Sequence, residues 1–346
     1  MTSHRVGVVV FDGVKLLDVA GPTEVFAEAN RIGSTRYELL TVGEGEVVSS
    51  TGMAIKVDAD FTVDLDTLLV AGGDRLVGYP IEPELVESVH ALAERTRRVC
   101  SICTGAFILA AAGALNGRRA TTHWQHAGLL AASYPKIRVE PDAIWVQDGQ
   151  VFTSAGVSAG IDLALALVEK DAGSELARAV ARSLVVFLQR PGNQSQFSPS
   201  TSHPRPRSDL LRAVMDAVAS NPGGDHSIAE MAATAAVSPR HLTRLFRAEL
   251  GITPGRYVEE VRIDAGKRGL EQGLSVADAA RDAGFGTSES MRRAFVLRLG
   301  LAPRTYQQRF RSTHRAGAAA REGHREGHRA PRDPGTGATA VGPCPR

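Results

Sequence analysis

Little in the chain would cross-link it or anchor it in a membrane. Three cysteines stand among 346 residues, and Cys100 and Cys103 are only three apart. That is too few for a disulfide framework and points to a reducing compartment. The longest apolar run, Gly105–Leu115, has 11 residues, well short of the roughly 18 that a spanning helix needs. The first apolar run, Val6–Phe11, is too short for the core of a secretory signal. The expectation is therefore a cytoplasmic protein with no membrane contact. The histidines and Cys344 near the C-terminal end read as part of a solvated tail, so neither a metal nor a cofactor is expected.

The net charge is also small, +2, but it hides an asymmetry. Residues 1–190 carry 17 Lys and Arg against 23 Asp and Glu, whereas residues 191–346 carry 23 against 15. An acidic front and a basic back suggest two tasks, with nucleic acid a candidate partner for the back.

What is present in the front half is an alternation of strand and helix signals. "RVGVVVF" (Arg5–Phe11), "YELLTVG", "DTLLVAGGD", "RRVCSIC" and "RRATTHW" read as short strands, the first a continuous β-branched run suited to a sheet covered on both faces. "LLDVAGPTEVFAEAN", "PELVESVHALAERTRR" and "TGAFILAAAGAL" read as the helices between them. The pattern predicts an α/β fold, a doubly wound and mostly parallel sheet of flavodoxin-like type. Asp148-Gly149 between alternating residues marks a hairpin, and helices over Ser158–Glu169 and Ser174–Leu188 close the domain, which is expected to span residues 1–190. Residues 191–208, rich in Pro and Ser and free of acidic side chains, read as a flexible extended linker. Residues 313–346 lack hydrophobic periodicity and read as a disordered basic tail.

Residues 209–312 are all-α in pattern and contain an internal repeat. Ser227 and Ser275 open the two copies, and Phe246, Gly251, Pro254 and Tyr257 recur as Phe295, Gly300, Pro303 and Tyr306 at an offset of 49. The starts are offset by 48, so the second copy carries one extra residue in its turn, near Gly286. Ser227 and Ser275, with Glu230 and Asp278 three residues on, resemble capping boxes. Ala232 and Ala280 are small enough for a close helix crossing. Ser238-Pro239 and Thr287-Ser288 supply the next N-caps. Each copy thus reads as a helix-turn-helix whose second helix would enter the major groove. Arg240, Thr243, Arg244 and Arg247 lie on one face of the first such helix, and Ser288, Glu289, Arg292 and Arg293 stand near the start of the second. Such residue types read base edges and hold phosphates.

Residues 209–312 resemble the AraC/XylS-type DNA-binding domain, most closely in "AGFGTSESMRRAFVLRLGLAPRTYQQRFR". The resemblance implies seven helices, two helix-turn-helix motifs joined by one long helix at about Pro254–Glu271, and two recognition helices in successive major-groove segments. The front half has a resemblance of its own, carried by "AGG" at Ala71–Gly73, "SICTGAF" around Cys103 and "TTHW" with His123. It resembles the ThiJ/PfpI superfamily, related to class I glutamine amidotransferases. That resemblance implies a nucleophilic Cys103 on a sharp strand-to-helix turn, His123 following on the next strand, and Asp18 as the acidic partner. Gly72, Gly73 and Thr104 would then line a ligand or oxyanion site. A thiol at a helix N-terminus is expected to move toward thiolate. Bland readings stand beside these: Cys103 as a packing residue, Cys100 and Cys103 as a redox pair, and His123 as a structural hydrogen-bonding group.

The fusion resembles GlxA-type transcriptional regulators. This implies double-stranded promoter or operator DNA as partner, a small-molecule effector bound near Asp18, Cys103 and His123, homodimerisation through the front domain, contact with RNA polymerase, and activation rather than repression. Two alternatives stay open. One is a cysteine-dependent hydrolase or hydratase of isonitrile hydratase type with a DNA-tethering domain, and the other is a redox-sensing regulator acting through Cys103.

Overall fold

The computed structural model describes residues 3–188, 193–197 and 206–310. The expected tail at 313–346, with Cys344, and most of the expected linker fall outside these residues.

The front half is built on a six-stranded sheet. Its strands are β1 (Ser3–Val9), β2 (Arg36–Val42), β3 (Thr67–Val70), β4 (Arg98–Ile102), β5 (Trp145–Asp148) and β6 (Val151–Ser154). They are ordered β2-β1-β3-β4-β6-β5, and all pairs are parallel except the β5–β6 hairpin. That hairpin turns at Asp148-Gly149, where Gly149 takes φ 62°. β3, β4 and β6 are buried along their whole length, because helices cover both faces. On one face α1 (Leu16–Ile32), α5 (Ala159–Ala172) and α6 (Ser174–Ser183) pack through Val25, Phe26, Leu163 and Val180. On the other, α2 (Pro83–Arg95), α3 (Gly105–Ala111) and α4 (Ala127–Ser133) pack through Val89, Leu92, Phe107, Ile108 and Leu130. This arrangement is the expected doubly wound one. Among the described residues no helix is long and apolar enough to cross a membrane.

Three local expectations are corrected. "RRATTHW" does not add a strand to the sheet: only Arg119–Ala120 pairs, with Arg138–Val139, in a separate ribbon. The next two residues leave the ladder for side-chain bonds. The Thr121 N–H donates to Thr153 Oγ1 at 2.8 Å, and Thr122 Oγ1 donates to the Cys103 carbonyl at 2.7 Å. The helix expected to reach Leu188 stops at Ser183, and Val185 takes the left-handed φ of 57°. Within the expected linker, Asn193–Phe197 is not free chain: Gln194–Gln196 form one 3-10 turn and Gln194 is buried.

Among the described residues the back half has seven helices: α7 (Asp209–Ser220), α8 (Ile228–Thr234), α9 (Pro239–Leu250), α10 (Pro254–Glu271), α11 (Val276–Asp282), α12 (Ser288–Leu299) and α13 (Pro303–Phe310). α10 spans the residues expected of the long connecting helix. Its first half contributes Tyr257, Val258 and Val261 to a core with Leu211, Leu242 and Phe246; its second half contributes Ile263 and Leu270 to a core with Met291 and Phe295. The duplication survives in three dimensions. Phe246 and Tyr257 have ring centroids 5.8 Å apart, and Phe295 and Tyr306 5.9 Å. α9 and α12 both end in a left-handed glycine, Gly251 at φ 71° and Gly300 at φ 69°, as a helix C-terminus favours.

Candidate functional site

The first site lies where β4 runs into α3. Cys103 takes φ 56°, a strained value for a residue with a side chain. The turn survives because its neighbours make room. A Cβ on Gly156 would overlap the Cα, Cβ and Sγ of Cys103, and one on Gly72 would come to 2.8 Å from Cys103 Cβ and from Asp18 Oδ2. Small residues in "AGG" and "SAG" therefore let the chain pass beside the elbow.

Asp18 is fully buried on α1. Its Oδ2 accepts from the Gly72 N–H at 3.0 Å and its Oδ1 from the Val157 N–H at 2.9 Å. The Cys103 thiol lies close enough to the same carboxylate for each to affect the titration of the other. Burial raises the Asp18 carboxyl to about 6, against which the two backbone donors pull. Burial, then the charge of Asp18, pushes the Cys103 thiol up to about 12. The expected drift toward thiolate is thus reversed. The Thr104 N–H and hydroxyl that face the sulfur act in the lowering direction, but desolvation outweighs them. Cys100 is fully enclosed among the apolar residues behind the sheet, and burial also raises it to about 12.

The glycine amides are already engaged. Gly72 N–H serves Asp18, and Gly73 N–H donates to Thr104 Oγ1 at 2.9 Å while that hydroxyl donates back to the Gly73 carbonyl at 2.9 Å. Of the expected oxyanion donors, the Thr104 N–H is the one directed at the sulfur.

Among the described residues the hydrogen bond of His123 is to Gln125 and not to Cys103. His123 caps a short 3-10 turn, accepting at Nδ1 from the Gln125 N–H at 3.3 Å, with its ring stacked on Trp124 and tilted against His126. Burial, then His126, lowers its pKa. Two groups that sequence reasoning missed stand nearby. Lys15 pairs with Asp74 at 2.8 Å, and its charge is felt at Cys103, Asp18 and His123. No sequence signal marks Lys15, which simply precedes α1. A cavity of about 340 Å³ is bounded by Phe11, Asp12, Arg75 and Leu76 and by none of Asp18, Cys103, Thr104 or His123; the Phe11 ring stands between it and Gly73.

The second site is the exposed surface of α9 and α12. Serine and threonine caps fix where each begins: Ser238 Oγ accepts from the His241 N–H at 3.2 Å, and Thr287 Oγ1 from the Ser290 N–H at 3.1 Å. Arg240, Arg244 and Arg247 are exposed on α9 and, with Ser238 and His241, line a groove of about 800 Å³. Thr243 turns its hydroxyl back to the Pro239 carbonyl at 2.8 Å, so its methyl is what remains for a partner. On α12, Ser288, Glu289, Arg292 and Arg293 are exposed. Glu289 and Arg292 hold each other through two bonds of 2.8 and 2.7 Å. Arg293 instead borders a groove of about 420 Å³ between α10 and α12. The eight residues expected at a DNA surface fall into two clusters, one on each second helix.

Comparison with known proteins agrees with this division. Residues 4–170 match the DJ-1/PfpI family and residues 231–309 a helix-turn-helix domain family. The chain is 36% identical to the HTH-type transcriptional regulator Rv1931c of Mycobacterium tuberculosis, over 71% of this chain and 96% of that one. It is 30% identical to the HTH-type transcriptional regulator CdhR of Pseudomonas aeruginosa, over 92% of this chain and 96% of that one. The front half alone is 34% identical to the isonitrile hydratase of Pseudomonas putida, over 52% of this chain and 77% of the enzyme. With a DJ-1/PfpI domain ahead of an AraC-type helix-turn-helix domain, the chain belongs to the GlxA-type HTH transcriptional regulators and is a DNA-binding protein.

Proposed function

We propose that this regulator reads a small metabolite at the Cys103 elbow and operator DNA with Arg240, Thr243, Arg244 and Arg247 on α9 and Ser288, Glu289, Arg292 and Arg293 on α12. The observation that carries the sensing half is the state of the thiol. A nucleophilic cysteine needs its thiolate at working pH, whereas burial and Asp18 push the Cys103 thiol up and the hydrogen bond of His123 is to Gln125. The same upward shift weighs against a redox sensor, since oxidation also begins from thiolate. On this reading Asp18, Cys103 and Thr104 are the polar groups of the site, with Gly72 packed against Asp18 and Cys103 and the charge of Lys15 reaching Asp18, Cys103 and His123. The division of labour is residues 1–190 for sensing and 209–312 for DNA. Cytoplasmic residence, dimerisation through the front domain, contact with RNA polymerase and activation follow from the same reading.

The test is binding of the full chain to a fragment from upstream of its own gene, against bulk DNA. Sequence preference with affinity falling steeply as salt rises is expected; equal affinity for both sinks the reading. The likeness to isonitrile hydratase favours one second reading, an enzyme. Incubation with an isonitrile distinguishes the two: formamide formation that Cys103→Ser abolishes supports the enzyme, and no turnover supports the sensor.

A further inference from the structure

Between the two halves, Asn193–Phe197 touches both. On the front side, Gln194 is buried to 3% exposure. Its Nε2 lies 3.2 Å from Thr121 Oγ1, 3.0 Å from the Thr122 and Pro141 carbonyls and 2.9 Å from that of Ala143. Asp142 fastens the same turn from outside: its carbonyl accepts from the Gln194 N–H at 3.0 Å, one carboxylate oxygen from the Ser195 N–H at 2.8 Å and from the Ser195 hydroxyl, and the other from Asn193 Nδ2 at 3.0 Å.

On the back side, Asn193 Nδ2 also reaches the carbonyl of Arg298, in the last turn of α12, at 3.3 Å. Lys267 Nζ on α10 donates to the Ser195 carbonyl at 3.5 Å, and the Phe197 and Phe310 rings meet edge to face at 5.6 Å. The segment is therefore bound to the helix that carries the second DNA surface and to the two helices packed beside it.

One further contact links it to the elbow. Thr122, whose carbonyl faces Gln194, donates from Oγ1 to the carbonyl of Cys103 at 2.7 Å. Only one residue, Thr122, separates the strained turn from the buried amide. Buried polar groups resist partial withdrawal, because each donor or acceptor left unpaired carries the full cost of its desolvation. Gln194 is thus either seated or out, which makes a two-state element.

We propose that Asn193–Phe197 is a latch: Gln194, seated against Thr122, holds the second helix-turn-helix unit to the sensing domain, and displacement of the Cys103 turn unseats it. The reading of the elbow as a metabolite site bears only on what pulls the latch. The latch itself can be examined without a metabolite. Coupling of this kind is reciprocal, so loosening Gln194 must also loosen the Cys103 turn.

The experiment uses the full chain, with hydrogen exchange over residues 193–197 and 295–301, alkylation of Cys103 by iodoacetamide, and affinity for a fixed upstream DNA fragment. Gln194→Glu keeps the shape but turns a carboxylate toward the carbonyl oxygens. It is expected to speed exchange in both segments and Cys103 alkylation by about tenfold each, and to change DNA affinity at least threefold or so. Thr122→Val should reproduce the exchange effect on residues 193–197 from the elbow side, and Thr122→Ser should restore protection. Unchanged thermal unfolding separates unlatching from misfolding; if Gln194→Glu fails to fold, Thr122→Val against Thr122→Ser carries the test. Unprotected amides at 193–197 in the unaltered chain overturn the proposal. So does faster exchange in Gln194→Glu with neither Cys103 alkylation nor DNA affinity altered, for Gln194 is then a local anchor only.

Discussion

Arg98 and Asp171 meet in a two-pronged ion pair, Nη1 to Oδ1 at 2.9 Å and Nη2 to Oδ2 at 2.7 Å, beneath the sheet at the end opposite Cys103. Arg98 is 1% exposed. Two further donors go to Thr67 Oγ1 at 2.8 Å and His4 Nε2 at 3.0 Å. The pair ties the first residue of β4 to the last turn of α5, and so fixes the strand that delivers Cys103.

Arg98→Ala removes a fully buried side chain and its bonds to Asp171, Thr67 and His4, while Asp171 is an exposed residue whose carboxylate stays open to water. It should lower stability by about 1–3 kcal/mol. Denaturant unfolding measures this. Arg98→Met with Asp171→Leu should recover much of the loss, and equal damage from the double variant would show that the charges matter for something other than each other.

Asp18 gives the fold a defined pH dependence. Its carboxyl binds a proton more tightly in the folded chain, at about 6, than in the unfolded one, near its ordinary 3.8. Its contribution therefore falls as pH rises between these values, by a total on the order of 3 kcal/mol. Unfolding measured from pH 4 to 7 should show this fall, and Asp18→Asn should flatten it. A slope identical in both proteins would assign the dependence to other groups.

The two recognition helices should respond differently to truncation. Arg244→Ala and Arg293→Ala are expected to weaken specific DNA binding by about 1–3 kcal/mol each if they make two-pronged base contacts. Arg292→Ala should cost less, because Arg292 must first give up Glu289. Titration of each variant against the cognate fragment decides this, and unchanged binding for Arg293→Ala would move it from the DNA surface to the groove beside α10.

Much of the architecture was legible in local chemistry. The β-branched runs named the parallel strands, and the Ser and Thr residues of the repeat located four N-caps. Those features depend on backbone geometry within a few residues. What failed was also local in form but decided from afar. "RRATTHW" has strand composition, yet Thr121 and Thr122 spend their bonding on Thr153 and Cys103.

The sequence by itself determined the α/β alternation and the duplicated helix-turn-helix, which follow from periodicity and capping chemistry. The placement of Cys103 on a tight turn was implied by the resemblance to the ThiJ/PfpI superfamily, not by its own tolerance of φ 56°. Tertiary structure alone decided the character of Cys103, the capping bond of His123 to Gln125 and the seating of Gln194. Desolvation and hydrogen-bond partnership depend on what the fold brings to a side chain. Asp18 lies 85 positions before Cys103 in the chain, Gln194 lies 72 after Thr122, and no local pattern records that they meet.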